Sequence, residues 1–160
     1  MQVLVAQSYS KNFGLYGQRV GALNVVTNSA KETSIVMSQL NQVIRPMYSN
    51  PPLHGARIVS TILGSELKEQ WKKDVKTMAD RIIWSRAALV GHLKTLGSKR
   101  NWEHITNQIG MFAFSGLKRE EVQALREKHV YMNLDGRMSI SGINSKNVEY
   151  LANAVHDVTK

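Results

Sequence analysis

Ser8, Ser10 and Lys11 follow directly on an apolar run, and Arg19 lies eight residues beyond the lysine. Hydroxyls and a guanidinium at the carboxyl end of a strand suit a phosphate, because both donate hydrogen bonds to anionic oxygens. A lysine among cationic neighbours is biased toward its neutral amine, which can attack a carbonyl carbon. The combination describes a lysine Schiff base beside a phosphate cup. The competing reading is a solvated lysine in a polar loop, the commoner fate of that side chain.

These residues need a strand to deliver them and a fold to hold it. Residues 3–6 are continuously apolar, as in a strand buried on both faces of a mainly parallel sheet. The stretch 1–7 suits such a strand better than a leader peptide, since no basic region or cleavage motif accompanies it. A second apolar run, 20–26, comes after Gly14 and Gly17. Ser29-Ala30-Lys31-Glu32 then has the form of a capping box. The helix it opens places Ile35, Val36, Leu40 and Val43 on one face and should end near Pro46. Pro51-Pro52 is a second break, followed by a short helix over 53–63.

The longest periodic segment runs over 66–96. Leu67, Trp71, Val75, Met78, Ile82, Leu89 and Leu93 recur at helical spacing on one face. Such a helix is about 45 Å long and suits a spine joining two domains; Gly97 supplies its stop. Beyond it the pattern predicts a short segment at 102–108, a strand at 111–114 and a helix over 119–129 with Val122 and Leu125 inward. Strands at 130–132 and 138–140 flank the turn Leu134-Asp135-Gly136. A last helix over 145–158 carries Val148, Leu151, Ala152 and Val155 on its apolar side. Trp71, Trp84 and Trp102 read as packing residues. Only two strands precede the long helix, and a buried parallel pair needs further strands and covering helices. The chain is therefore expected to begin inside a domain.

Composition narrows the partners. With 42% hydrophobic and 21% charged residues, the 160-residue chain has the make-up of a globular protein rather than a disordered one. It has no cysteine, which excludes disulfides and thiolate metal sites. No apolar run approaches the roughly 20 residues that cross a bilayer, so no membrane partner is expected. His54, His92, His104, His129 and His156 lack metal-ligand spacing, and no metal is expected. Lys and Arg total 21 against 12 acidic residues, a net charge of +9. The basic pairs Lys72-Lys73, Lys99-Arg100 and Lys118-Arg119 lie far apart, without the aromatic interleaving of a single-strand surface. Nucleic acid is not expected, and an anionic small molecule explains the surplus equally well.

The segment Ser8-Tyr9-Ser10-Lys11-Asn12-Phe13-Gly14-Leu15-Tyr16-Gly17-Gln18-Arg19-Val20-Gly21 resembles the cofactor-lysine motif of the aspartate aminotransferases. The similarity continues through Arg45-Pro46-Met47-Tyr48-Ser49-Asn50-Pro51-Pro52, Met78-Ala79-Asp80-Arg81, Gln108-Ile109-Gly110-Met111-Phe112 and Asp135-Gly136-Arg137, in matching order. The resemblance implies an α/β fold: the C-terminal end of a large cofactor-binding domain (1–78), a long connecting helix (66–96), and an α+β small domain (79–160) of the fold type I transaminases. The implied cofactor is pyridoxal 5′-phosphate, bound to Lys11, which would also move the proton between substrate and cofactor. By the same resemblance Ser8 and Arg19 would hold the cofactor phosphate. Arg137 would clamp the substrate α-carboxylate, and Arg45 would reach into the neighbouring subunit of a homodimer to take the side-chain carboxylate, with Ser49 beside it. Two arginines for two carboxylates would select dicarboxylic amino acids and their 2-oxoacids. The bland alternatives are a basic residue at a helix C-terminus for Arg45 and a turn-flanking surface charge for Arg137. Tyr16 and Phe112 read as packing residues.

The resemblance also implies an aspartate transaminase of mitochondrial or plastid type, with the cytoplasm still open. It covers well under half of a family member. The family's partners for the cofactor ring lie N-terminal to this stretch, as would any targeting segment. The chain is expected to be weakly active or inactive alone; the alternative is a non-catalytic truncated paralogue serving as a binding or regulatory partner. Trp84-Ser85 and Ser141 are its departures from the family pattern.

Overall fold

The apolar runs on either side of the lysine form strands, but they run in opposite directions. In the computed structural model, which describes residues 3–160, β1 (Val3–Ser8) pairs antiparallel with β2 (Gly21–Val26), from Val3 opposite Val26 to Ser8 opposite Gly21. A buried parallel pair was the expectation, and connectivity overturns it. Parallel strands need a crossover, usually a helix. The linking segment 9–20 carries only one turn of 3-10 helix, Tyr16–Gln18. Burial is corrected too: Leu4 (73% exposed), Leu23 and Val26 face solvent, and no described residue of either strand is buried. An apolar run marks a strand that can be covered, and no described part of this chain covers it. Met1 and Gln2, which the predicted strand included, lie outside the described residues.

The chain divides into two compact units, Met1–Lys73 and Asp74–Lys160. In the first, α1 (Ala30–Met47) begins where the capping signal places it. The Ser29 hydroxyl accepts the Glu32 amide at 3.2 Å, and the Glu32 carboxylate accepts the amide of Asn28, one residue before the expected cap partner. The half-buried positions are Val36, Leu40 and Ile44, a strict four-residue step, while Ile35 and Val43 are exposed. After the two prolines, α2 (His54–Leu63) buries Gly55 and Val59. A Cβ at Gly55 would lie 2.9 Å from the Cβ of Gln18, so glycine lets the helix approach the segment that carries Arg19.

The long helix α3 (Leu67–Thr95) matches its predicted span to within a residue at each end, and the boundary between the units falls inside it. A Schellman pair closes it, the amides of Gly97 and Ser98 reaching the carbonyls of Lys94 and Leu93. Its apolar face is graded: Leu89 and Leu93 are fully buried, Trp71, Val75 and Ile82 half-buried, and Leu67 and Met78 exposed. Trp84, expected to pack, is 46% exposed.

The second unit holds the core. Leu89, Val90 and Leu93 of α3 meet Trp102 and Ile105 (α4, Glu103–Asn107), Val122 and Leu125 (α5, Arg119–Glu127), and Val148, Ala152 and Val155 (α6, Val148–Val158). α6 starts three residues later than predicted, because Asn144 and Asn147 tie that stretch into a turn through their side-chain oxygens. Between the helices, β3 (Phe112–Phe114) pairs antiparallel with β4 (Arg137–Ser139). A hairpin between 130–132 and 138–140 was the expectation; residues 130–132 are not a strand. His129 in the left-handed region ends α5, sending the Val130 amide back to the Leu125 carbonyl, and β4 takes β3 instead. Nothing in a histidine announces a left-handed cap that glycine usually makes.

Arg100 grips Glu121 with both guanidinium nitrogens, while Glu121 also accepts the Lys118 amide at 2.8 Å. The hydrogen bonds from Arg100, first, and then from Lys118 hold the Glu121 carboxyl below its usual range against the opposing effect of burial. A depressed folded value stabilises above the ordinary glutamate value of about 4.3 and loses that contribution as pH falls through the folded value. Glu121→Gln should therefore lower stability by about 1 kcal/mol at pH 7, Arg100 being partly exposed. In urea melts the difference should shrink steadily below about pH 4.

Candidate functional site

β1 ends by placing Ser8, Ser10 and Lys11 on one tight turn. Ser10 is buried, its hydroxyl 3.1 Å from that of Ser8, which also accepts the Ser10 amide. The turn closes through Gly14 amide to Lys11 carbonyl at 3.2 Å and Leu15 amide to Tyr9 carbonyl at 3.4 Å. The Tyr9 amide donates to the Val20 carbonyl, drawing the next residues back beside the strand end. Ser8, Ser10 and Arg19 consequently line one open depression together with Val20 and Gly21. Arg19 has a left-handed backbone (φ 50°) and donates to the Tyr16 carbonyl at 3.3 Å.

Lys11 is exposed, its ammonium 5.4 Å from the centre of the Tyr16 ring. Tyr16, expected to pack, is 48% exposed and serves this cation instead. Asn12 Oδ1 is a buried oxygen with no hydrogen-bond partner among the described residues. Hydroxyls, a guanidinium and a primary amine within one turn and its return segment form a donor set that fits a phosphate ester bearing an aldehyde.

Arg45 sits in the last turn of α1, and Ser49 follows it with a left-handed backbone (φ 58°). The Arg45 side chain has no ion-pair partner among the described residues. The same is true of Lys11, Arg19 and Arg137. Four cations free of protein carboxylates leave their charge available to an anionic ligand.

Arg137 belongs to the second unit. The turn before it bends at Gly136 (φ 85°), where a Cβ would also press on the Leu117 carbonyl at 3.1 Å. Asp135 then accepts the Arg137 amide at 2.9 Å. The two-residue period of β3 and β4 turns Ala113 and Met138 inward and leaves Phe112, Phe114, Arg137 and Ser139 on the outer face. The guanidinium of Arg137 lies 4.3 Å from the Phe112 ring centre, a diagonal neighbour across the ladder. Phe112 is thus a platform for this arginine, a role its apolar character hid among packing residues.

Sequence reasoning missed Arg86 entirely. It is buried on α3 and donates to the carbonyls of Ile105 (2.6 Å), Gly110 (2.8 Å) and Phe112 (2.8 Å). Burial alone pushes its guanidinium below the usual arginine value. Arg86 interrupts the largely apolar stretch 82–90, and its partners are backbone groups 19 to 26 residues away. Among the described residues no cluster of His, Asp or Glu could hold a metal ion, and no helix is long and apolar enough to cross a membrane.

Strand, lysine turn, long helix and α+β unit in this order are those of the pyridoxal-phosphate transaminase fold anticipated from the sequence. The chain belongs to the family of class I and II aminotransferases, whose pattern it matches over residues 1–155. It is 58% identical over 158 residues to the mitochondrial aspartate aminotransferase of Arabidopsis thaliana, covering 98% of this chain and 37% of that protein. A mitochondrial aspartate aminotransferase from Trypanosoma brucei superposes with a TM-score of 0.94 at 54% identity, covering 99% of this chain and 42% of that one. An aromatic-amino-acid aminotransferase from Burkholderia pseudomallei, covalently bound to pyridoxal phosphate, superposes at 0.95 with 44% identity, over 100% of this chain and 41% of that one. The chain thus spans well under half the length of these relatives.

Proposed function

We propose that this chain is the lysine-bearing portion of a mitochondrial aspartate aminotransferase, which converts L-aspartate and 2-oxoglutarate to oxaloacetate and L-glutamate. One observation carries the proposal: Ser8, Ser10 and Arg19 line one depression and Lys11 stands on the same turn, in a chain 58% identical to a protein of that name. Residues 1–78 are the C-terminal part of the cofactor-binding domain and 79–160 the small domain. Ser8 and Arg19 would hold the phosphate of pyridoxal 5′-phosphate, and Lys11 Nζ would be the amine that links to it. The cofactor, when bound, supplies an electron sink for the substrate's Cα. Lys11 Nζ would be the group that takes the proton from the substrate's Cα and returns it as an acid.

Arg137, braced on Phe112, takes the α-carboxylate in a two-pronged pair. Arg45, from the neighbouring subunit of a homodimer, takes the side-chain carboxylate, with Ser49 beside it. This second arginine favours dicarboxylic over aromatic substrates. The isolated 160-residue chain turns over weakly or not at all. A second reading, a non-catalytic partner, is favoured by the exposed apolar side chains of β1 and β2, which suit association with another chain.

Incubating the purified chain with pyridoxal phosphate, reducing with borohydride and mapping the peptides tests the cofactor role. The expected result is saturable adduct confined to Lys11. Adduct spread evenly over the exposed lysines would overturn it.

A further inference from the structure

Lys11 has a free side chain on a clamped backbone, and the clamp comes from a residue far along the chain. Trp71, in the second turn of α3, donates its indole N–H to the Asn12 carbonyl at 2.8 Å, across 59 residues of sequence. Its ring stacks on Phe13, with centroids 4.7 Å apart and planes inclined by 20°. Phe13 in turn receives the edge of Tyr9 at 5.2 Å. The aromatic train Tyr9–Phe13–Trp71 therefore brackets the lysine from both sides in sequence. Asn12 and Phe13 are fixed just after it, and Tyr9 just before it.

We propose that Trp71 is a positioning residue for Lys11, holding the turn so that the amine is presented to an aldehyde ligand at a fixed place. The proposal rests on Lys11 being the cofactor lysine. The physical reason is entropic. A lysine side chain carries much rotamer freedom, and a wandering backbone would add to what must be frozen each time the amine reacts. Half-buried Trp71 removes the backbone part beforehand without touching the amine. Neither Tyr9 nor Phe13 can do this alone, since both belong to the turn being held. Trp71 links it to a long helix.

The experiment compares the full chain with Trp71→Phe, which keeps the stack and loses the N–H donor, and Trp71→Leu, which loses both. Each is treated with pyridoxal phosphate, in which the lysine amine condenses with the aldehyde and releases water. Borohydride then delivers hydride to the new carbon–nitrogen double bond, and adduct is quantified at Lys11 and at remote lysines such as Lys118 and Lys146. The expected result is at least a tenfold fall in the Lys11-to-remote ratio for Trp71→Leu, with most of it restored in Trp71→Phe. General loosening of the fold would raise remote labelling without the phenylalanine rescue.

Selective Lys11 labelling that is equal in all three proteins would overturn the positioning role. If the unaltered chain shows no selective Lys11 adduct, the cofactor role of Lys11 fails instead. Amide hydrogen exchange then decides the clamp without any cofactor. Exchange at Gly14 and Leu15 should be at least tenfold faster in Trp71→Leu, and unchanged exchange would overturn the clamp.

Discussion

Replacing Lys11 by alanine should remove all site-specific cofactor trapping and reduce any measurable amino-group transfer by at least about 10²- to 10⁴-fold. Two proposed functions would be lost together, the covalent link and the proton transfer, and the second alone contributes that factor. Lys11→Arg is the sharper control. It preserves a cation near the Tyr16 ring, now 5.4 Å from the ammonium, yet a guanidinium stays protonated and cannot act as a nucleophile or base. Both variants should fold like the unaltered chain, because Lys11 is exposed and bears no ion pair among the described residues. Peptide mapping after borohydride reduction, with circular dichroism as the folding control, provides the check. Retained adduct at the wild-type yield in Lys11→Ala would mean that another lysine carries the cofactor.

The second large effect is on stability. Arg86→Leu should destabilise the second unit by about 3–4 kcal/mol. The substitution leaves the carbonyls of Ile105, Gly110 and Phe112 without the donors that now meet them at 2.6–2.8 Å. Each orphaned buried acceptor costs about 1–3 kcal/mol, the lower end applying to the two bonds that are only part-buried. Leucine recovers some of this by removing a buried charge, since burial already works against the guanidinium. A loss of about 3 kcal/mol corresponds to a fall in Tm of roughly 10–20 °C for a unit of this size. Arg86→Lys should recover less than half, because one ammonium cannot span three carbonyls as the planar fork does. The loss should not shrink as pH falls below about 4, unlike the Glu121 effect, because arginine stays protonated throughout that range. Thermal melts of the full chain would sink the idea if Arg86→Leu lost less than about 1 kcal/mol.

The same substitution reaches Arg137, the arginine proposed to take the substrate carboxylate, indirectly. Arg86 pins the Phe112 carbonyl, and the Phe112 ring underlies the Arg137 guanidinium. Arg86 and Arg137 are thus two contacts apart, both through Phe112 of β3. Only Arg137, next to Asp135-Gly136, stands in a recognisable motif; Arg86 has no such mark in its neighbours.

Legibility followed the range of the interaction. Helix α3 was readable because its periodicity repeats over eight turns and glycine closes it. The start of α1 was readable from Ser29 and Glu32, which act within one turn of each other. The lysine turn was readable because Ser8, Ser10, Lys11 and Arg19 occur in a run long enough to resemble a known motif. The strand pairing was not. Apolar runs report that a strand can be buried, and are silent on its direction and on its cover. The hairpin at 130–132 failed because His129 adopts a backbone that its side chain does not favour.

By itself, then, the amino-acid sequence determined most of the helices, the order of the elements and the family, and it nominated the residues able to do chemistry, all of which depend on neighbours a few positions apart. The tertiary structure decided what those residues stand against. It put Trp71 on Asn12, Phe112 under Arg137 and Arg86 on three carbonyls. Each of these contacts joins groups 19 to 59 residues apart or on adjacent strands. Such contacts form only when the chain folds, because loop closure and packing rather than local propensity select them.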